Sequence, residues 1–273
     1  MSVQLVDHMP RENLDQAIVD AARVSYQSGT TASRSNEGLI RYLLRHWHTT
    51  PFEMVEFKFR IKMPMYIARQ HMRHRTASIN EVSARYSKLD TDYFVPPALR
   101  TQSSTNKQSS ESIYDSKLLT NIWEHCNESF ELYNALLEEG CSRELARGHL
   151  PLATYTEFYW KINLHNLMHY LQLRLESGAQ EEIRWYAQEI LRLVEPLAPL
   201  TFKAFRDFRL NSIQLSSVDV QCIRDGTLPE SPGERRELIV KMKSLGIYNE
   251  DKYNRSGTDG HNDSVGVVET KNT

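Results

Sequence analysis

Val55-Glu56-Phe57-Lys58-Phe59-Arg60-Ile61-Lys62 alternates apolar and charged side chains without a break. Strict alternation sets four apolar residues on one side of an extended chain and four charges on the other. Such a strand belongs to an antiparallel sheet packed on one face and wet on the other. Pro64 ends it and opens a helix over 65–73. Just upstream, Thr50-Pro51-Phe52-Glu53 has the form of a capping box with proline at the first helical position. It has room for one turn before the strand begins. Leu39, Leu43 and Trp47 recur at helical spacing over 39–47, and 28–38, small and polar, reads as a loop. Residues 3–6 form a short strand closed by Pro10, after which Asn13 or Asp15 is placed to cap a helix carrying Ile18, Ala21, Ala22 and Val24.

Downstream, 75–86 has no period and reads as a loop, and 101–112, without an apolar residue, as a mobile one. Helices are expected over 118–137, stopped by Gly140, over 142–150 before Pro151, over 155–176, and over 179–193. A second capping box, Ser231-Pro232-Gly233-Glu234, opens a helix to Leu245. Residues 1–248 read as one domain and 249–273 as a disordered polar tail. Many helices, few strands and no strand–helix alternation argue against a doubly wound sheet.

Lys plus Arg total 33 against 35 Asp plus Glu, so the chain as a whole is not a basic nucleic-acid binder. Cys126, Cys141 and Cys222 form no CxxC pair, which argues against a disulfide scaffold and a cysteine zinc site and suits a reducing, cytoplasmic compartment. No apolar run approaches the ~20 residues of a membrane span, and the first residues have no signal-peptide core.

The chemistry concentrates in Arg69-Gln70-His71-Met72-Arg73-His74-Arg75 and the following stretch to Tyr86. Arginine forks match phosphate oxygens two at a time, and Ser78, Asn80 and Ser83 add neutral donors. The combination suits a phosphorylated small molecule, although composition alone reads equally as a solvated basic face. GxGxxG and GxxxxGK[ST] are both absent, so a nucleotide here would be held by side chains. On the helix 155–176, Asn163, Tyr170 and Arg174 share a face at i, i+7 and i+11, with His165 and His169 beside them. Taken singly, each reads more simply as the helix's wet side. Three histidine pairs have metal-ligand spacing: His46 with His48, His71 with His74, and His165 with His169. The second is ringed by arginines that would repel a cation, and the third has Asn166 where HExxH needs glutamate. A metal is not expected.

Arg73-His74-Arg75, seven residues, then Ser83 resembles the signature of the flavin-dependent thymidylate synthases, and the fuller run RHRTASINEVSARYSKL is similar along its length. Ala21-Ala22-Arg23-Val24-Ser25, His48-x-Thr50-Pro51-Phe52-Glu53, Ala68-Arg69-Gln70, Ala146-Arg147, Leu150-Pro151-Leu152 and Leu173-Arg174 follow in family order, so that the resemblance covers about residues 1–210. It implies an α/β fold of α+β type, with a twisted, mainly antiparallel sheet and surrounding helices, assembled as a homotetramer with active sites between subunits. It also implies methylation of deoxyuridine monophosphate (dUMP) to thymidine monophosphate (dTMP). Methylenetetrahydrofolate would be the carbon donor, NADPH the reductant and FAD the hydride carrier.

Carried over by position, Ser25, His48, Thr50, Glu53, Arg73, His74, Arg75, Glu81, Asn163, Leu164, His165 and His169 would meet the flavin. Gln70, Arg73, Glu81, Ser83, Ala84, Arg85, Arg147 and Arg174 would hold the nucleotide, with Arg174 the catalytic residue at the uracil ring. Gly178 stands where many relatives have a histidine near the flavin, and His165 and His169 replace a common Arg and Asn. Two rival readings are a flavin- and nucleotide-binding scaffold without turnover, and a nucleic-acid module using 69–85.

Overall fold

The computed structural model describes residues 1–25, 35–104, 109–114, 116–250 and 253. Two compact units emerge, Met1–Asn211 and Ser212–Thr273. The division falls inside the 1–248 stretch read as one domain. Of the 249–273 tail, all but residues 249, 250 and 253 lies outside the described residues.

The first unit is built on four antiparallel strands in the order β1-β2-β6-β3, in which β1 is Ser2–Met9, β2 Glu56–Pro64, β3 Ser78–Glu81 and β6 Tyr155–Asn163. A separate hairpin pairs β4 (Leu99–Gln102) with β5 (Ser110–Tyr114). The expected alternation in β2 is borne out: Phe57, Phe59, Ile61 and Met63 are fully buried. Opposite them in register, Ile162, Trp160 and Phe158 are buried from β6. The outer face is polar, with Arg60 paired to Glu157 and Lys161 to Glu56 at 3.1 Å.

Of this unit's helices, α1 (Leu14–Arg23), α2 (Asn36–Arg45), α3 (Thr50–Glu53), α4 (Met65–His71), α7 (Leu164–Arg174), α8 (Glu181–Val194) and α9 (Pro199–Phe205) contribute to the core on the buried face, while α5 (Leu118–Glu138) and α6 (Arg143–Ala146) form a smaller cluster around Phe130, Tyr133 and Ala146. In α8, Ile183, Tyr186, Ala187, Ile190, Leu191 and Val194 form one apolar stripe in the core shared with β2 and β6. The second unit contains α10 (Ser217–Asp225) and α11 (Pro232–Ser244) around Cys222, Leu238, Met242 and Tyr253.

Several sequence expectations need correction. The single helix over 155–176 is a strand followed by a helix. Tyr155 to Asn163 is rich in aromatic and β-branched residues, and its even members Thr156, Phe158, Trp160 and Ile162 are buried alternately. The 75–86 loop contains β3, whose four residues are all exposed and therefore carry no burial pattern. The 101–112 loop contributes to both strands of the β4–β5 hairpin, and its residues 105–108 lie outside the described set. Helix α2 begins at Asn36, not Leu39, because the Ser35 side chain accepts from the Gly38 N–H. Of the 28–38 loop, 28–34 are outside the described residues. The capping box at 50–53 does not form: Thr49 occupies the cap position without a side-chain hydrogen bond. Ser231 likewise makes none, and the capping box of the second unit is Ser216 with Asp219.

Asp15 has a role outside its own helix. Its carboxylate accepts from the N–H of Leu200 (2.8 Å), the N–H of Thr201 (3.0 Å) and the Thr201 hydroxyl (2.6 Å), so it caps α9 from across the unit. It also places a negative charge at that helix's positive end. Asp15→Ala is expected to cost about 2 kcal/mol, the upper range for a lost cap, read as a lower urea midpoint at unchanged m-value.

Candidate active site

The strand–helix junction at Asn163 organises the site. Asn163 is the N-cap of α7, and its Oδ1 accepts from both the backbone N–H and the side-chain amide of Asn166 at 2.9 Å. This one residue ends β6, starts α7 and orients Asn166. Leu164 is fully buried, and its N–H donates to the Val55 carbonyl, so the first turn of α7 is fixed to the start of β2.

Two clefts meet at Asn166 and His169. The first, about 380 Å³, is mostly apolar; Trp47, His48, Phe52, His165, Phe205 and Arg209 contribute to it. The second, about 330 Å³, is lined by Arg73, His74, Arg75, Thr76, Leu173 and Arg174 around Ile162. The helix α4 ends at His71, which carries the Arg73-His74-Arg75 run into this second cleft opposite Arg174 on the last turn of α7.

Arg174 and His74 are directly joined: Arg174 Nε donates to His74 Nε2 at 3.0 Å. An arginine can only donate, so His74 Nε2 carries no proton and the ring is neutral. Burial, then the neighbouring Arg174 and His169, pulls the His74 pKa down to about 4, in agreement. Burial also lowers the pKa of Arg174. Arg174 Nη2 approaches the Gln70 carbonyl at 3.5 Å, while Gln70 Oε1 is buried without a hydrogen-bond partner.

Behind this pair lies an aromatic wall. His71 is fully buried and shares a 3.2 Å hydrogen bond through Nδ1 with the Tyr170 hydroxyl. Its ring stands edge-on to Trp160 and Tyr170, and Tyr170 in turn packs edge-on to His74. Tyr170 precedes Arg174 by one helical turn, so the wall holds α4 and α7 in register.

The remaining expected site residues fall into separate places. His48, His165 and His169 line the first cleft; Thr50 and Glu53 sit on α3 beside it, and Glu53 opposes the burial that lowers the His165 pKa. Ser25 follows the end of α1 and lines neither cleft, nor does Gly178, whose carbonyl accepts from Ser109. Asn163 does not share a helix face with Tyr170 and Arg174, because it precedes α7 as its cap; Tyr170 and Arg174, one turn apart, do.

Glu81, Ser83, Ala84 and Arg85 line neither cleft. Glu81 pairs with Phe158 and accepts from the Thr156 hydroxyl. The Ser83 hydroxyl accepts from the Arg85 N–H, Ala84 is buried, and Arg85 lies 3.7 Å from Glu144. Arg147 follows Glu144 by three residues, just past the end of α6. Sequence reasoning missed Asn166, Trp47 and Arg209. Asn166 had a signal in its spacing from the cap Asn163; the other two had none.

A family model described as thymidylate synthase complementing protein matches residues 4–200. A flavin-dependent thymidylate synthase of Dictyostelium discoideum is 46% identical, covering 86% of this chain and 81% of that relative. Another from Thermus thermophilus is 49% identical, covering 84% of each. Among solved structures, a UMP/dUMP methylase, PolB from Streptomyces cacaoi bound with 5-Br dUMP, superposes with a TM-score of 0.68 at 34% identity, covering 77% of this chain and 96% of that one. The chain therefore belongs to the flavin-dependent thymidylate synthase family.

Proposed function

We propose that this protein is a flavin-dependent thymidylate synthase that converts dUMP to dTMP, the DNA precursor, in the cytoplasm. The observation that carries the reading is the meeting of Arg73, His74, Arg75 and Arg174 around one cleft within the stretch matched by the family. Methylenetetrahydrofolate is the one-carbon donor and leaves as tetrahydrofolate; NADPH is the reductant. A bound FAD supplies the hydride that reduces the transferred carbon to a methyl group.

The residues fit such a group by their chemistry. The first cleft offers apolar walls for a flat ring, with His48, His165 and His169 at its rim. Arg73 and Arg75 bring fixed positive charge suited to a diphosphate. Asn163, Thr50, Glu53, Ser25 and the first turn of α7 at Leu164 complete the flavin set carried over from the family. Arg174 holds the uracil ring and stabilises the negative charge that develops as C5 becomes nucleophilic. His74 accepts from Arg174 and fixes the direction of its fork. Gln70 Oε1, buried and unmatched, is an acceptor suited to a donor on the nucleotide.

Arg85 and Arg147, together with Ser83, Ala84 and Glu81, hold nucleotide in a site completed by another copy of the chain. Supporting this are their place outside both clefts and the exposed apolar Ile79, Val82 and Tyr86 nearby in sequence. A homotetramer with shared sites accommodates both.

The test is dTMP formation from dUMP, methylenetetrahydrofolate and NADPH at low oxygen, with and without added FAD. FAD-dependent product is expected. No product from folded, flavin-loaded protein would overturn the assignment in favour of a binding scaffold.

A further inference from the structure

Trp47 has a backbone φ of 60°, in the left-handed region that a side chain with a Cβ rarely adopts. The end of α2 imposes it. The His48 N–H donates to the Leu43 carbonyl at 3.0 Å, which closes a Schellman turn with Trp47 at the position glycine usually takes. A bulky residue kept in a strained place invites a functional explanation.

The side chain points to one. Trp47 lines the first cleft and is 62% exposed, much for so large an apolar residue. One face of its indole is covered: the Arg209 guanidinium lies 3.6 Å from the ring centroid. Arg209 is itself fixed, donating through Nη2 to the Leu44 carbonyl at the end of α2 and through Nη1 to the Phe208 carbonyl. It projects from a π-helical turn, Arg206–Leu210, a distortion often found at functional sites. The indole is thus oriented before any ligand arrives, which lowers the entropy lost on binding.

We propose that Trp47, backed by Arg209, is a stacking platform for a planar fused heteroaromatic ring entering the first cleft. The inference rests on the function proposed above, which supplies two such rings: the isoalloxazine of the flavin and the pterin of the folate. Stacking on the indole face contributes affinity without specific hydrogen bonds, so it complements the histidines of the same cleft.

Trp47→Gly suits the left-handed backbone and keeps the turn; Trp47→Phe keeps an aromatic face. Full-length proteins would be titrated with FAD, followed by flavin fluorescence, and the FAD-loaded proteins with tetrahydrofolate, followed by calorimetry. Sedimentation velocity would monitor the assembly. In Trp47→Gly, one of the two affinities is expected to fall about tenfold, the order of one lost aromatic stack. Tm should be unchanged or raised, and Trp47→Phe should stay close to wild type. A loss confined to FAD, with the bound flavin's fluorescence no longer quenched, assigns the isoalloxazine; a loss confined to tetrahydrofolate assigns the pterin. Unchanged affinity for both ligands overturns the platform, as does a loss that follows dissociation of the assembly. A wild-type protein that binds neither ligand overturns the proposed function with it.

Discussion

Arg174→Ala is expected to lower kcat by about a thousandfold, the upper range for deleting one donor aimed at developing charge. The fold should survive. The side chain is half-buried at the end of α7, and its one well-formed hydrogen bond runs to His74. Because His74 is neutral, deleting the arginine strands no opposite charge, and the stability cost should stay near 1 kcal/mol. Arg174→Lys should recover little. A lysine retains a point charge but not the planar fork that serves His74 and a ligand together. The measurement is kcat beside Tm for the three proteins. Near-normal turnover in a folded alanine variant would remove Arg174 from the chemistry, whereas a collapse of Tm would show that it acts chiefly as a strut.

The parts of this molecule legible in its sequence are those whose burial follows one clear period. β2 was readable because every second residue enters the core and every other one is charged. β6 was not, although it lies beside β2 in the same register. Tyr155 and Tyr159 put aromatic rings on its outer face, and the apolar α7 follows without a break, so the junction at Asn163 is blurred. β3 is held to β6 by backbone pairing and the Thr156–Glu81 hydrogen bond, and its four exposed residues leave no burial pattern in the sequence. Of the site, the arginines announced themselves by residue type. Which of them share a cleft depends on where the chain turns, and that is decided by the Asn163 cap and the end of α4. Trp47 and Arg209 stand 162 positions apart, joined only by the packing of α2 against the turn that follows α9.

Acid should destabilise the protein through His71, and His71→Phe should remove that component. His71 is enclosed by Phe158, Trp160 and Tyr170, and burial, reinforced by His74 and Arg174, draws its pKa down to about 3 from the ordinary 6.5. Above pH 6.5 the histidine is neutral in both folded and unfolded chains and contributes no pH dependence. Below it the unfolded chain takes up a proton that the folded chain refuses, so stability falls as pH falls until the folded value is reached. The slope for one such group is about 1.4 kcal/mol per pH unit. Between pH 6.5 and 4.5 the loss should therefore reach about 2 kcal/mol. His74 acts in the same direction over a narrower window, down to about 4, and being half-buried contributes less. Urea unfolding at pH 7, 5.5 and 4.5 compares the slopes, which are unaffected by the constant cost of depriving the Tyr170 hydroxyl of its partner. Parallel slopes in wild type and His71→Phe would mean that the folded protein accommodates the charged ring. The site should respond over the same range. Protonation of His74 converts Nε2 from acceptor to donor and breaks its bond from Arg174. The acid limb of turnover should then follow the histidine beside Arg174, and His71→Phe should flatten the stability curve without moving that limb.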